Sequence, residues 1–180
     1  MVKRIYVVRH CEAEGQPSGA PLTETGFRQA DELAQFLGDI QVERIICSPF
    51  LRAVQSIIPT AEQKGLRIEK DDRLTERILS TKVLEDWLVK LEATFEDLDL
   101  KFDDGESSRE AMGRIVETVE ETLEGKVKNT LIVTHGNLMS LLLHCYQPSF
   151  GFENWKNLSN PDVYLIEFAN NNVAIEHIWR

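Results

Sequence analysis

The stretch Ile5-Tyr-Val-Val-Arg-His-Cys-Glu12 is an apolar run that ends abruptly in Arg9 and His10. Its β-branched and aromatic residues, bounded by polar ones, read as a strand buried on both faces, as in a parallel sheet. Residues just past the carboxyl end of such a strand stand at the sheet edge, where open α/β folds bind ligands. A guanidinium beside an imidazole at that edge points to anion chemistry, because arginine presents a fixed fork of donors to phosphate or carboxylate. An Arg-His pair alone is common on surfaces, so its weight depends on the other strand ends.

Two further buried strands follow the same plan. Arg44-Ile-Ile-Cys47 leads into Ser48-Pro49, which reads as an N-cap with proline at the first helical position. Arg52 then falls in the first turn of that helix, where the macrodipole disfavours a cation by about 0.3–1 kcal/mol, and Pro59 is expected to kink it. Asn129-Thr-Leu-Ile-Val-Thr134 runs into His135-Gly136, followed by a helix from Leu138 to Cys145 that is apolar nearly all round and so buried. Three strands therefore deliver Arg9-His10, Ser48…Arg52 and His135-Gly136 to one edge. The helix start behind Gly136 offers uncapped amides to an anion. This convergence fits phosphoryl transfer: arginines hold the non-bridging oxygens and a neutral imidazole attacks phosphorus. An oxygen leaving group needs a proton, so a carboxyl acid is expected nearby.

Between these strands, Thr23 or Thr25 caps a helix with Phe27, Ala30, Leu33, Ala34 and Leu37 on its buried face, stopped by Gly38. A short strand is expected near Arg67-Ile-Glu69 and a helix over 84–95. Ser107 and Glu110 have capping-box spacing at the head of a helix whose buried stripe is Met112, Ile115, Val116, Val119 and Leu123. Val163–Phe168 and Val173–Trp179, joined by three asparagines, read as a closing hairpin.

The 180 residues suit one domain over 1–180, and no repeat or low-complexity segment divides them. A formal net charge of −10 argues against a nucleic-acid or anionic-membrane binder, so any anion site is a local basic pocket. Three widely spaced cysteines suit a reducing cytoplasm, and no metal-ligand spacing is present. The longest apolar stretch is broken by Ser140 and His144, far short of a membrane span. A cysteine phosphatase needs C-x5-R, and neither Cys11 nor Cys47 has arginine at that spacing.

Arg9-His10-x-Glu12, Pro21-Leu-Thr-Glu-Thr-Gly26 with Gln29-Ala30, Ser48-Pro49-x-x-Arg52-Ala53-x-Gln55, Leu74-x-Glu76, Gly105-Glu106-Ser107 and Val133-Thr-His-Gly136 occur in order along the chain. Together they resemble the histidine phosphatase superfamily, the phosphoglycerate mutase-like proteins. The resemblance implies an α/β fold with a mostly parallel central sheet and helices on both faces. It implies catalytic His10, which becomes phosphorylated, and Glu76, acid and then base. Arg9, Gln16, Arg52, His135 and Gly136 are the expected phosphate-binding residues, with no cofactor and no metal. Gln16 stands where the family commonly has an asparagine, and Cys11 where it usually has glycine. A thiol beside two arginines is expected to be held toward its thiolate and to oxidise readily. The expected activity is hydrolysis of a small-molecule phosphate ester. A mutase, a protein phosphohistidine phosphatase and a non-catalytic phospho-ligand binder are the alternatives. Against a mutase stand the short insertion after Glu76 and its few cations, Arg77, Lys82, Lys90 and Lys101. Oligomeric state is left open.

Overall fold

The computed structural model describes residues 1–180. Along the chain run β1 (Lys3–Arg9), α1 (Glu24–Phe36), β2 (Arg44–Cys47), α2 (Leu51–Lys64), β3 (Ile68–Lys70) and a 3-10 turn (Asp72–Leu74). Then come α3 (Trp87–Glu96), α4 (Ser108–Glu124), β4 (Asn129–Thr134), α5 (Gly136–Tyr146), α6 (Phe152–Lys156), β5 (Asp162–Ala169) and β6 (Asn172–His177). The six strands form one sheet in the order β3-β2-β4-β1-β5-β6. β1, β2, β3 and β4 pair in parallel, while β5 runs antiparallel to β1 and to β6. This is the expected α/β architecture with a mostly parallel sheet.

The two-residue period of the strands divides the core into two layers. Ile5 and Val7 of β1, with Ile46 and Ile132, pack under α4 and α5 on one face. Tyr6 and Val8, with Ile45, Leu131 and Val133, pack under α1 and α2 on the other. β1 and β4 are therefore neighbours whose following helices leave to opposite faces. The chain diverges there, and a crevice opens at their carboxyl ends. Register puts Arg9 beside Thr134 and Cys47 beside Val133. His10, Ser48 and His135 thus emerge side by side.

Local structure departs from expectation in places that have physical causes. Phe27 is 47% exposed, and Gly26 takes its place on the buried face of α1. A Cβ at Gly26 would lie 2.0 Å from the Glu12 carbonyl oxygen, so the first turn seats on that backbone and Phe27 turns outward. Thr23 caps α1, accepting from the Gly26 amide. α2 begins two residues later than proline placement suggests, with Phe50 as its N-cap and the Ser18 carbonyl accepting from the Leu51 amide. It runs on through Pro59 to Lys64. α3 starts at Trp87, not at residue 84. α4 has the expected capping box, but Ala111, Ile115, Thr118, Val119 and Thr122 fill its buried face, while Met112, Val116 and Leu123 are half-buried at its margins. Small residues let α4 approach closely, and the larger ones flank the contact.

Candidate active site

His10 follows β1, and both ring nitrogens have defined partners. Nδ1 lies 2.6 Å from the Cys11 carbonyl oxygen, which can only accept, so Nδ1 carries the hydrogen. Burial, with Arg52 and Arg9 close by, lowers the His10 pKa from 6.5 to about 4, outweighing the opposing pull of the Cys11 hydrogen bond. At neutral pH the ring is therefore uncharged, with a lone pair on Nε2. The Arg52 Nε–H donates to that nitrogen at 3.3 Å. Asn160 donates to the His10 carbonyl at 2.8 Å and holds the residue from the other side.

Arg52 is 1% exposed. Its place in the first turn of α2 opposes the helix dipole, and the structure shows what offsets this. Nη1 donates to the carbonyls of Gln16 and Pro17 at 3.0 and 2.9 Å, so the guanidinium orders the 15–18 loop while facing His10. Arg9 donates through Nη1 to the Leu158 and Ser159 carbonyls, and its Nε is buried with no partner. A Cβ at Gly136 would stand 2.9 Å from that Nε, so only glycine admits the guanidinium here.

His135 is fully buried, its ring 5.1 Å from that of His10. Ser48, expected as a helix cap, instead meets His135 Nε2 through its hydroxyl at 2.8 Å. Ser48 Oγ also accepts from the Phe50 amide. With the hydroxyl proton given to Nε2, a neutral His135 carries its hydrogen on Nδ1, which has no partner. Burial, then the competing ring of His10 and the charges of Arg52, Arg114 and Arg9, lower the His135 pKa well below 6.5. Arg9 Nε and His135 Nδ1 are thus two buried nitrogens left without a partner near His10.

The helix start behind Gly136 is already occupied. Glu76 accepts from the Asn137 and Leu138 amides at 3.1 and 2.9 Å, and from the Arg77 amide at 2.8 Å. The expectation that these amides face an external anion is therefore corrected: they fix the carboxyl group of Glu76. The reason is geometric, since the segment after β3 crosses the carboxyl ends of the sheet and delivers Glu76 to α5. Sequence reading missed what holds this segment. Arg114 of α4 donates to the Arg73, Thr75 and Glu76 carbonyls and to both oxygens of Glu106. Burial opposes ionisation of Glu106, but Arg114 and the Ile78 amide hold its carboxyl below the usual range. Asn137 was also missed; it is buried on the cleft wall, with Oδ1 unpartnered. An asparagine at a helix start carries no signal of its own.

Cys11 is corrected too. Its side chain turns into the layer beneath α1 and α2, fully buried with Leu22, Ala30 and Ala53. Burial pushes its pKa up to about 12 despite the Ser56 contact that pulls it down. Two depressions border the polar groups, one of 380 Å³ touching Arg9, Glu76 and Asn137, the other of 810 Å³ touching Phe50, Arg52 and Glu76. Gln16 borders both, with its backbone carbonyl held by Arg52.

The family model of the histidine phosphatase superfamily (branch 1) matches residues 5–179. The chain belongs to the histidine phosphatase superfamily. Phosphoserine phosphatase 1 of Hydrogenobacter thermophilus is 29% identical over 160 residues, covering 81% of this chain and 75% of that protein. Mouse fructose-2,6-bisphosphatase TIGAR is 37% identical over 86 residues, which cover 41% of this chain and 32% of that protein. Among solved structures, a mycobacterial glucosyl-3-phosphoglycerate phosphatase with inorganic phosphate superposes with a TM-score of 0.77 at 22% identity, covering 98% of this chain and 96% of that one. A phosphoglycerate mutase of Bacillus anthracis gives 0.77 at 20% identity, covering 98% and 92%. At such identities the two structures show the fold alone. This histidine phosphatase chain has no helix long and apolar enough to cross a membrane.

Proposed function

We propose that residues 1–180 form one domain that hydrolyses small phosphate monoesters through a phosphohistidine on His10, without a metal or other cofactor. The observation that carries this reading is the state of His10: an uncharged ring, its hydrogen fixed on Nδ1 and its Nε2 lone pair turned to Arg52. Nε2 attacks phosphorus, the P–O bond to the leaving group breaks, and Glu76 gives that oxygen its proton. Water then attacks the phosphoryl group, Glu76 takes its proton, and the P–N electron pair returns to Nε2. Arg9, Arg52 and His135 bind the phosphoryl oxygens, and Gln16 stands at the rim beside them. Gly136 serves by leaving room for Arg9.

Hydrolysis is favoured over a mutase reaction by what the remaining cations do. Arg77 donates to the Glu106 carbonyl, Thr94 and Ser108. Lys82, Lys90 and Lys101 pair with Asp103, Asp86 and Glu110. Each would have to leave its present partners to retain a second phosphate. Three free thiols, two of them buried, fit a reducing cytoplasm. Brief reaction with a labelled phosphate ester and an alkaline quench is expected to trap acid-labile phosphate on His10. Label on any other residue, or none on an active enzyme, overturns the mechanism. Chelators are expected to leave turnover intact, because arginines and imidazoles do here what carboxylate-bound cations do elsewhere; loss of activity in EDTA, restored by a divalent ion, counts against it.

A further inference from the structure

The 380 Å³ depression that touches Arg9, Glu76 and Asn137 also has an apolar wall. Leu79, Leu84, Leu91, Trp87 and Trp155 form that wall. The two indoles meet edge to face, with centroids 6.4 Å apart and planes at 87°. Such a corner suits a planar group, which stacks on one ring and meets the edge of the other. Trp155 is itself braced by stacking on Phe152 at 5.5 Å. Trp87 remains 50% exposed although it is the largest side chain of α3, and Leu88 and Val89 beside it are exposed as well. An apolar surface left open next to reacting groups marks a binding site more often than an accident of folding.

The charges along this depression favour an uncharged occupant. Arg9 belongs to the phosphoryl site, and Arg77 is committed to the Glu106 carbonyl, Thr94 and Ser108. Lys82 stands at the mouth, paired with Asp103 at 3.1 Å. A carboxylate or second phosphate on the leaving group would lose water against leucine and tryptophan, and would have to draw Arg77 or Lys82 from the partners they hold. A flat apolar group gains by the same transfer.

The geometry points to a leaving-group subsite for a flat, apolar, uncharged alcohol, making the substrate a monoester that carries its only charge on the phosphate. This rests on the phosphatase reading of the adjoining site. Three primary alkyl esters with similar leaving-group basicity separate subsite from chemistry: 2-(2-naphthyl)ethyl, butyl and 3-carboxypropyl phosphate. In the intact protein kcat/KM is expected to be about 10-fold or more higher for the naphthylethyl than for the butyl ester, and the carboxylated ester lowest. The same ranking is expected in affinities for the His10→Ala protein by calorimetry, where no chemistry occurs. Trp87→Ala is expected to bring the naphthylethyl and butyl esters within about 2-fold of each other. Leu84→Arg, a second and independent change, is expected to move the preference toward the carboxylated ester. Preferential binding without hydrolysis leaves the subsite standing and removes the phosphatase reading. Hydrolysis without preference does the reverse. Equal affinities for the three esters, or a preference untouched by both substitutions, overturns the subsite.

Discussion

In the proposed reaction His10 attacks phosphorus, which requires one ring nitrogen to keep its lone pair, and the backbone decides which one. The Cys11 carbonyl takes the Nδ1 hydrogen, and burial keeps the ring neutral. Glu76 is placed with equal care, by three backbone amides. Glu76→Gln can keep the bonds from the Arg77 and Leu138 amides through its one carbonyl oxygen, gives up the bond from Asn137, and cannot deliver a proton. An alkyl alkoxide needs one as it leaves, whereas p-nitrophenolate needs little help. Phosphorylation of His10 by an alkyl phosphate is therefore expected to slow about 10²–10⁴-fold, and by p-nitrophenyl phosphate much less, when measured before the steady state. Equal slowing with both would make Glu76 an orienting group only. Cys11 illustrates the opposite outcome. Arg9 is two residues away and Arg52 faces His10, but the thiol points into the core, where desolvation, with Glu32 acting in the same sense, opposes the thiolate. Peroxide or iodoacetamide is expected to modify exposed Cys145 first and leave Cys11 intact in the folded protein, as read by mass spectrometry.

At the scale of elements, the motif residues that touch no reacting group turn out to hold loops in place. The Glu12 amide donates to Gln29 of α1, the Leu22 amide donates to Gln55 of α2, and Thr23 donates to the Glu12 carboxylate. Gly26 lets α1 rest on the Glu12 backbone, and Gly105 lets its own loop pass Leu79, whose carbonyl oxygen would be 2.2 Å from a Cβ. Gly26→Ala is accordingly expected to destabilise by about 1–3 kcal/mol in chemical denaturation. Gly113 of α4 has nothing within 4 Å of its missing Cβ, so Gly113→Ala is expected to stabilise by about 0.5–1 kcal/mol. Similar effects at both glycines would refute the contact argument. The caps of α1 and α4 and the ends of β1, β2 and β4 were legible because they are local. The start of α3, the position of α6 and the part played by Arg114 were not, because each answers to a partner far along the chain.

For the whole molecule, the site makes stability depend on pH. The His10 pKa is about 4 when folded and 6.5 ordinarily, so between those values the unfolded chain binds a proton that the folded one does not. Stability therefore falls as pH is lowered through this window, by on the order of 3 kcal/mol from His10 at most, and His135 adds in the same direction. His10→Asn is expected to flatten the fall between pH 6.5 and 4.5 in denaturant titrations; an unchanged slope would mean the ring is not held neutral. Inorganic phosphate is expected to raise Tm, as a ligand of the folded state alone. By itself the sequence determined the parallel strands, their helices on both faces, and the edge where Arg9, His10, Arg52 and His135 gather. Hydrophobic period and strand-end polarity are properties of neighbouring residues, so they can be read along the chain. Only the tertiary structure decided that Ser48 serves His135 and not a helix, that Glu76 takes the amides of α5, that Arg114 clamps its backbone, and that Cys11 is buried. Each of these depends on which groups are brought together after the sheet closes, and on how much water is left between them.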